Sequence, residues 1–152
     1  MSEENRPRWA LILGSSSGFG AATALALAED GVHIFGVHLD RRATLPAAQQ
    51  VVKDVQAKGV ECRFFNTNAA DPAKRDQILD DLAAQLESDG GTLAVLFHSL
   101  AFGSLLRFVP PEGEDGPVVS PKQMAMTQDV MANSLVYWTQ GVIQRGLMNK
   151  GG

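Results

Sequence analysis

A parallel sheet covered on both faces by helices is the fold class this sequence predicts, and three observations predict it. Short apolar runs alternate with longer segments of helical spacing. The best defined of these runs is almost unbroken in apolar residues, as in strands buried on both faces. The first run also ends in a glycine-rich turn, Gly14-Ser15-Ser16-Ser17-Gly18-Phe19-Gly20, that opens directly into an alanine-rich helical pattern. Strand, glycine turn and helix in that order argue for right-handed βαβ crossovers and a doubly wound sheet.

Each element has its own signal. Trp9-Ala10-Leu11-Ile12-Leu13 is the first strand, and the small residues from Ala21 onward form a helix able to pack close to a sheet, with Gly31 as its stop. Residues 32–38 read as a second strand, closed by the polar turn Asp40-Arg41-Arg42. Residues 45–58 carry helical spacing at Leu45, Ala48, Val51, Val52 and Val55, with Gly59 as the stop. Residues 60–66 are a third strand. Asp71-Pro72 then looks like an N-cap and a first-turn proline, with Ile78, Leu79, Leu82, Ala83 and Leu86 as the buried face of that helix and Gly90-Gly91 as its end. Thr92 to His98 is the fourth strand. Residues 103–121, broken by Pro110, Pro111, Gly113, Gly116 and Pro117, form an irregular loop after a strand's carboxyl end, where it can serve as a substrate lid or be a plain surface insertion. A further helix is expected from near Met124.

Composition bounds the class. The chain has 152 residues, of which 45% are hydrophobic and 20% charged, which suits one soluble domain spanning residues 1–152 with a substantial core. A net charge of −4 gives no reason to expect nucleic-acid binding. Neither a bilayer-spanning run nor a secretory leader is expected, and the single Cys62 excludes an internal disulfide, so a reducing cytoplasmic setting is expected.

The glycine turn suggests chemistry. Glycines let a strand pass tightly into a helix and let a phosphate reach main-chain N–H groups, where the helix N-terminus adds positive potential. Ser15, Ser16 and Ser17 add hydroxyl donors. The spacing G-x-x-x-G-x-G is neither the common G-x-G-x-x-G fingerprint nor a P-loop. The Asp40 turn follows about 20 residues later, where a Rossmann-type βαβ site reads the adenosine ribose. There Asp40 suits the ribose hydroxyls of NAD and Arg41 or Arg42 suits a 2′-phosphate. On these residues alone NADP and NAD both stay open. A flavodoxin-like phosphate site is disfavoured by the three glycines.

Taken together, Gly14, Gly18 and Gly20, the Asn68-Ala69 pair after the third strand, and the end of the fourth strand resemble the short-chain dehydrogenases/reductases in order and spacing. The resemblance covers almost the whole chain. The segment His98-Ser99-Leu100-Ala101-Phe102-Gly103 is similar to that of the enoyl-acyl carrier protein reductases within the family. It implies an NAD(P)H-dependent oxidoreductase acting on an enoyl or 3-oxoacyl thioester in fatty-acid chemistry, with NADP favoured over NAD because related NADP-using enzymes carry a basic residue at or beside the Asp40 position. The glycine turn would hold the pyrophosphate, Asn68 and Ala69 would border adenine, and His38 would lie with Asp40 at the ribose. Residues 98–101 would lie along the nicotinamide side, with His98 itself a strand-end residue satisfied by local hydrogen bonds rather than an acid or base. Asn133 matches the family's helix asparagine, which helps hold a water in the proton-relay path. Enoyl reductases often lack it, which leaves carbonyl reduction open.

The resemblance also implies a catalytic Ser and a Tyr-x-x-x-Lys pair, in which lysine lowers the tyrosine pKa. The chain reaches Gly151-Gly152 before either, and its only tyrosine, Tyr137, has Gly141 four places on, which suits a core or subunit-interface aromatic. The sheet is accordingly expected to be incomplete, with four strands visible where such folds have about six. Two readings follow. The chain is the cofactor-binding half of a reductase that assembles as a homodimer or homotetramer, with the chemistry in a continuation or a second chain; or it is a dinucleotide-binding fragment that turns nothing over.

Overall fold

In the computed structural model, residues 6–148 are described; residues 1–5 and 149–152 of the expected domain, including the terminal glycine pair, lie outside the described residues. The chain runs β1 (Arg8–Leu13), α1 (Gly18–Glu29), β2 (His33–His38), α2 (Leu45–Gln56), β3 (Cys62–Asn66), α3 (Pro72–Asp89), β4 (Thr92–His98), α4 (Pro121–Gln128), a single π-helical turn (Asp129–Asn133) and α5 (Ser134–Gln144). The four strands form one parallel sheet in the order β3-β2-β1-β4. The chain therefore builds outward from β1 to β3, then crosses back to lay β4 on the other side of β1. Strand order reverses between β1 and β4, and a crevice opens at the carboxyl ends of strands flanking such a reversal.

Alternation along β1 divides the core into two layers. Trp9, Leu11 and Leu13 point to one face, where Leu79 and Leu82 of α3 and Trp138 and Val142 of α5 cover them. Ala10 and Ile12 point to the other, against Ala24 and Ala28 of α1 and Val55 of α2. The expected three layers are present. On α1 the buried residues are Gly20, Ala24 and Ala28, a stripe of small side chains four apart that brings the helix axis close to the sheet.

Helix starts follow local chemistry. At α3 the Asp71 carboxylate accepts from the N–H groups of Ala73 at 2.9 Å and Lys74 at 3.1 Å, with Pro72 in the first turn. The irregular stretch, by contrast, starts earlier than expected, at residue 99, and ends one residue sooner, at residue 120. Pro121 is the first residue of α4 rather than the last residue of the loop, because Ser120 and Gln123 form a reciprocal capping box and proline needs no N–H at that position. Residues 99–120 lack regular structure apart from a bridge between Arg107 and Val118, and Leu105, Phe108 and Val109 there are exposed.

Candidate functional site

The carboxyl ends of β1 and β4 meet closely. Ser99 N–H donates to the Leu13 carbonyl at 2.7 Å, and Gly14 N–H donates to the Val37 carbonyl at 2.8 Å, so the glycine turn is pinned to both neighbouring strands. Gly14 has φ +88°, and a β-carbon there would lie 2.3 Å from the Ser99 oxygen. A β-carbon on Gly20 would lie 1.9 Å from the Gly14 oxygen. These two positions need glycine for space, and the result is a turn whose backbone is open to the outside.

Above that turn lies a cavity of about 560 Å³, within the range of small-molecule sites. Four separate stretches line it: Gly14, Ser16, Ser17, Gly18 and Phe19; His38, Leu39, Asp40 and Arg41; Thr67, Asn68 and Ala69; and Ser99, Leu100, Ala101 and Phe102. Val130 of the π turn completes the wall. At the N-terminus of α1, Ser17 makes no side-chain cap, in contrast to Asp71 at α3 and Ser120 at α4. The first-turn N–H groups of α1 are therefore left for a partner other than a capping side chain.

Most of the residues anticipated from sequence converge here, but five, Ser15, Gly20, Arg42, His98 and Asn133, do not line the cavity. Ser15 is fully buried beneath the turn, its hydroxyl donating to the Val37 carbonyl at 3.3 Å, because β1–β2 pairing leaves it facing Gly36 instead of solvent. Gly20 is buried against Gly14, and Arg42 is exposed away from the cavity. Asn133 is also exposed, with its amide 3.4 Å from the Asp129 carboxylate, because the π turn adds a residue per turn and rotates it off the inward face. Ser134 takes that inward place.

His98 explains why Ser134 matters. Its Nε2 lies 2.8 Å from the Ser134 hydroxyl, which itself donates to the Val130 carbonyl at 2.7 Å. With its one proton committed, Ser134 must accept from His98, so hydrogen-bond saturation assigns the Nε2–H tautomer. Burial lowers the His98 pKa, a backbone hydrogen bond opposing it in part. His98 is thus a neutral ring tying β4 to the start of α5. A folded-state histidine with a lowered pKa stabilises the fold above the ordinary imidazole pKa and loses that contribution as pH falls through it. Between about pH 7 and pH 5 the urea midpoint is expected to fall less steeply for His98→Gln than for the natural protein.

At the ribose end of the cavity, burial works to raise the Asp40 pKa, but the Ser16, Thr44 and His38 side chains outweigh it and the carboxyl ionises below its usual range. The defined contact among these is His38 Nδ1 to Asp40 Oδ2 at 2.7 Å, since the Thr44 hydroxyl is directed at the Arg41 carbonyl at 3.2 Å. Tyr137 is partly exposed, its hydroxyl donating to the Asp129 carboxylate at 3.3 Å with Arg75 over its ring, so it is not a core residue. Among the described residues no group of three metal-ligating side chains is present, and no helix is long and apolar enough to cross a membrane.

Comparison with known proteins agrees with this geometry. The family model described as enoyl-(acyl carrier protein) reductase matches residues 14–152. The chain belongs to that family, within the short-chain dehydrogenases/reductases. Among curated members, the 3-oxoacyl-[acyl-carrier-protein] reductase FabG of Staphylococcus aureus is 29% identical over 109 residues, 70% of this chain and 42% of that protein. The cyclohexanol dehydrogenase of an Acinetobacter species is 34% identical over 104 residues, 68% of this chain and 36% of the other. The chain thus spans less than half the length of these short-chain dehydrogenase/reductase relatives. Among solved structures, a 3-oxoacyl-[acyl-carrier protein] reductase from Brucella melitensis in complex with NAD superposes with a TM-score of 0.70 at 22% identity, covering 94% of this chain and 50% of that one. A short-chain dehydrogenase/reductase from Serratia marcescens gives 0.73 at 20% identity, covering 97% and 53%.

Thr67, Leu39 and Val130 line the cavity but have no motif of their own, and Phe102 lines it from within the His98–Gly103 segment. Leu39 and Thr67 directly follow strands that end at the cavity, a position that alone is a usable signal.

Proposed function

We propose that this chain holds the dinucleotide in an NAD(P)H-dependent short-chain reductase acting on an enoyl or 3-oxoacyl thioester. The observation that carries the reading is the cavity at the β1–β4 reversal, where an uncapped helix N-terminus, the Asp40-Arg41 turn and the Ser99–Phe102 stretch face one space. These features fit a nicotinamide dinucleotide. The backbone of Gly14 to Phe19, with the Ser16 and Ser17 hydroxyls, binds the pyrophosphate. His38, Asp40 and Arg41 take the adenosine ribose, and Asn68 and Ala69 border adenine. The strand end at His98, Ser99, Leu100 and Ala101 sets one wall of the nicotinamide pocket. Bound there, a reduced nicotinamide supplies hydride. The residues of this chain orient it and exclude water from one side, with His98 fixing the strand end through Ser134 rather than carrying a proton. The apolar side chains Leu105, Phe108 and Val109 make residues 103–120 a fitting lid over an acyl chain. The reading takes the protein as cytoplasmic, bound neither to nucleic acid nor to membrane, and as a homo-oligomer.

The proton donor is assigned to a segment outside these residues. Tyr137 has no lysine four places on, and its hydroxyl is engaged by Asp129. β4 supports this assignment. Among the described residues its outer edge makes one backbone bond, Leu93 N–H donating to the Leu147 carbonyl at 3.0 Å, and Val95, Leu96 and Phe97 are only partly buried, which suits pairing with further strands of a continuation or a companion chain. The same tyrosine observation favours a second reading, a dinucleotide-binding fragment or half of a split enzyme without turnover.

One pair of assays separates these readings. Titration with NADH and NADPH, followed by nicotinamide fluorescence, is expected to give saturable binding to this chain, and its absence ends the dinucleotide reading. Oxidation of the reduced nucleotide in the presence of crotonyl or acetoacetyl thioester is expected only when the further strands are present. Turnover by residues 1–152 alone would place the proton donor within them.

A further inference from the structure

The reading of the cavity as a dinucleotide site leaves open what sets the preference at the adenosine ribose, and this inference rests on that reading. Two opposed groups line the same end of the cavity, the Asp40 carboxylate and the Arg41 side chain. They are not held alike. Arg41 is exposed, and Arg42 does not reach the cavity at all. Asp40 is fixed at both of its ends. Its N–H donates to the Asn66 amide oxygen at 2.9 Å, and its carbonyl accepts from the Asn66 amide nitrogen at 3.0 Å. Its side chain meets the Nδ1 of His38, a ring that is 5% exposed beside Phe64 and ends β2. A carboxylate on a polar turn would otherwise sample several rotamers, and a buried donor removes that freedom while favouring the ionised form.

The geometry points to His38 as the positioning residue that holds Asp40 as a fixed anion at the ribose, so that the site takes a dinucleotide with a free 2′-hydroxyl and rejects one carrying a 2′-phosphate. A fixed carboxylate accepts from vicinal hydroxyls and faces a 2′-phosphate with like charge. The arginine pair that suggested NADP from sequence contributes at most one flexible cation, without the buried partner that the acid has.

Equilibrium titrations of the protein with NADH and with NADPH, for the natural sequence and for His38→Leu, His38→Gln and Asp40→Asn, test this through the ratio of the two dissociation constants. The natural protein is expected to bind NADH more tightly. His38→Leu is expected to move the ratio toward NADPH by about tenfold, the worth of one hydrogen bond to a charged group. His38→Gln, whose amide can still donate to the carboxylate, is expected to hold the ratio near its natural value, and Asp40→Asn to move it at least as far as His38→Leu. A purely structural role for His38 would lower both affinities together and leave the ratio alone, and that result overturns the inference. Preference of the natural protein for NADPH also overturns it, as does an unmoved ratio in Asp40→Asn, a variant that decides the matter should His38→Leu fail to fold. Failure of the natural protein to bind either nucleotide overturns the dinucleotide reading itself, which is distinguishable from binding of both with an insensitive ratio.

Discussion

Gly14→Ala is expected to destabilise the protein by about 3 kcal/mol and to abolish nucleotide binding in whatever fraction remains folded. Two effects combine. A side chain at φ +88° costs about 1–2 kcal/mol in the left-handed region, and a methyl 2.3 Å from the Ser99 carbonyl adds about 1–3 kcal/mol of overpacking. The second effect cannot be relieved by a rotamer change, because the obstacle is backbone. Relief requires that β1 and β4 part at their carboxyl ends, which breaks the Ser99 to Leu13 hydrogen bond and widens the cavity floor. Gly20→Ala is expected to behave similarly, with its methyl 1.9 Å from the Gly14 oxygen. Gly18→Ala is the control. It also has positive φ, at +53°, but nothing lies within 4 Å of a β-carbon there, so only the conformational cost of about 1–2 kcal/mol applies. Urea midpoints for the three variants should therefore fall in two groups, Gly18→Ala above the other two. If Gly14→Ala matches Gly18→Ala, the strand ends have room that this geometry denies them.

The same glycines show what a linear sequence can and cannot disclose. Glycine, proline and apolar periodicity act over a few residues, so β1 to β4 and the Asp71-Pro72 start of α3 were legible where they stand. The close approach of Gly14 to Ser99 joins positions far apart in the chain and depends on the order in which strands are laid down. For that reason the cavity residue Val130 had no local mark, and Ser15, with the same hydroxyl as its neighbours, was indistinguishable from them until strand pairing turned it inward. The start of α4 was obscured for a different reason. Pro121 follows a proline-rich loop, and proline signals a break or a helix start depending on whether its N–H is needed, which the Ser120–Gln123 capping box decides. Asn133 was singled out by its match to the family's helix asparagine, and no residue in Asp129–Asn133 announces the π turn that leaves it exposed.

Trp138→Ala carries the other large expected effect, about 3–5 kcal/mol, the usual cost of emptying a large aromatic site. Trp138 is fully buried among Leu79, Leu82 and Val142, and its indole N–H donates to the Ala69 carbonyl at 2.9 Å. That bond reaches across the fold from α5 to the segment after β3 that borders the cavity. Stability and site geometry can be separated here by Trp138→Phe, which keeps most of the apolar volume and removes the donor. The buried Ala69 carbonyl then lacks its partner, at a cost of about 1–3 kcal/mol, and the segment carrying Asn68 and Ala69 loses its anchor. With Trp138→Phe still folded, dinucleotide affinity is expected to drop several-fold while the far side of the site, at Ser99 and Leu100, is undisturbed. Loss of stability with unchanged affinity would mean that β3 pairing alone positions Ala69. Loss of both would show that a helix contributing no cavity residue nonetheless sets the site's adenine wall, which makes α5 part of the binding apparatus rather than only a cover for the sheet.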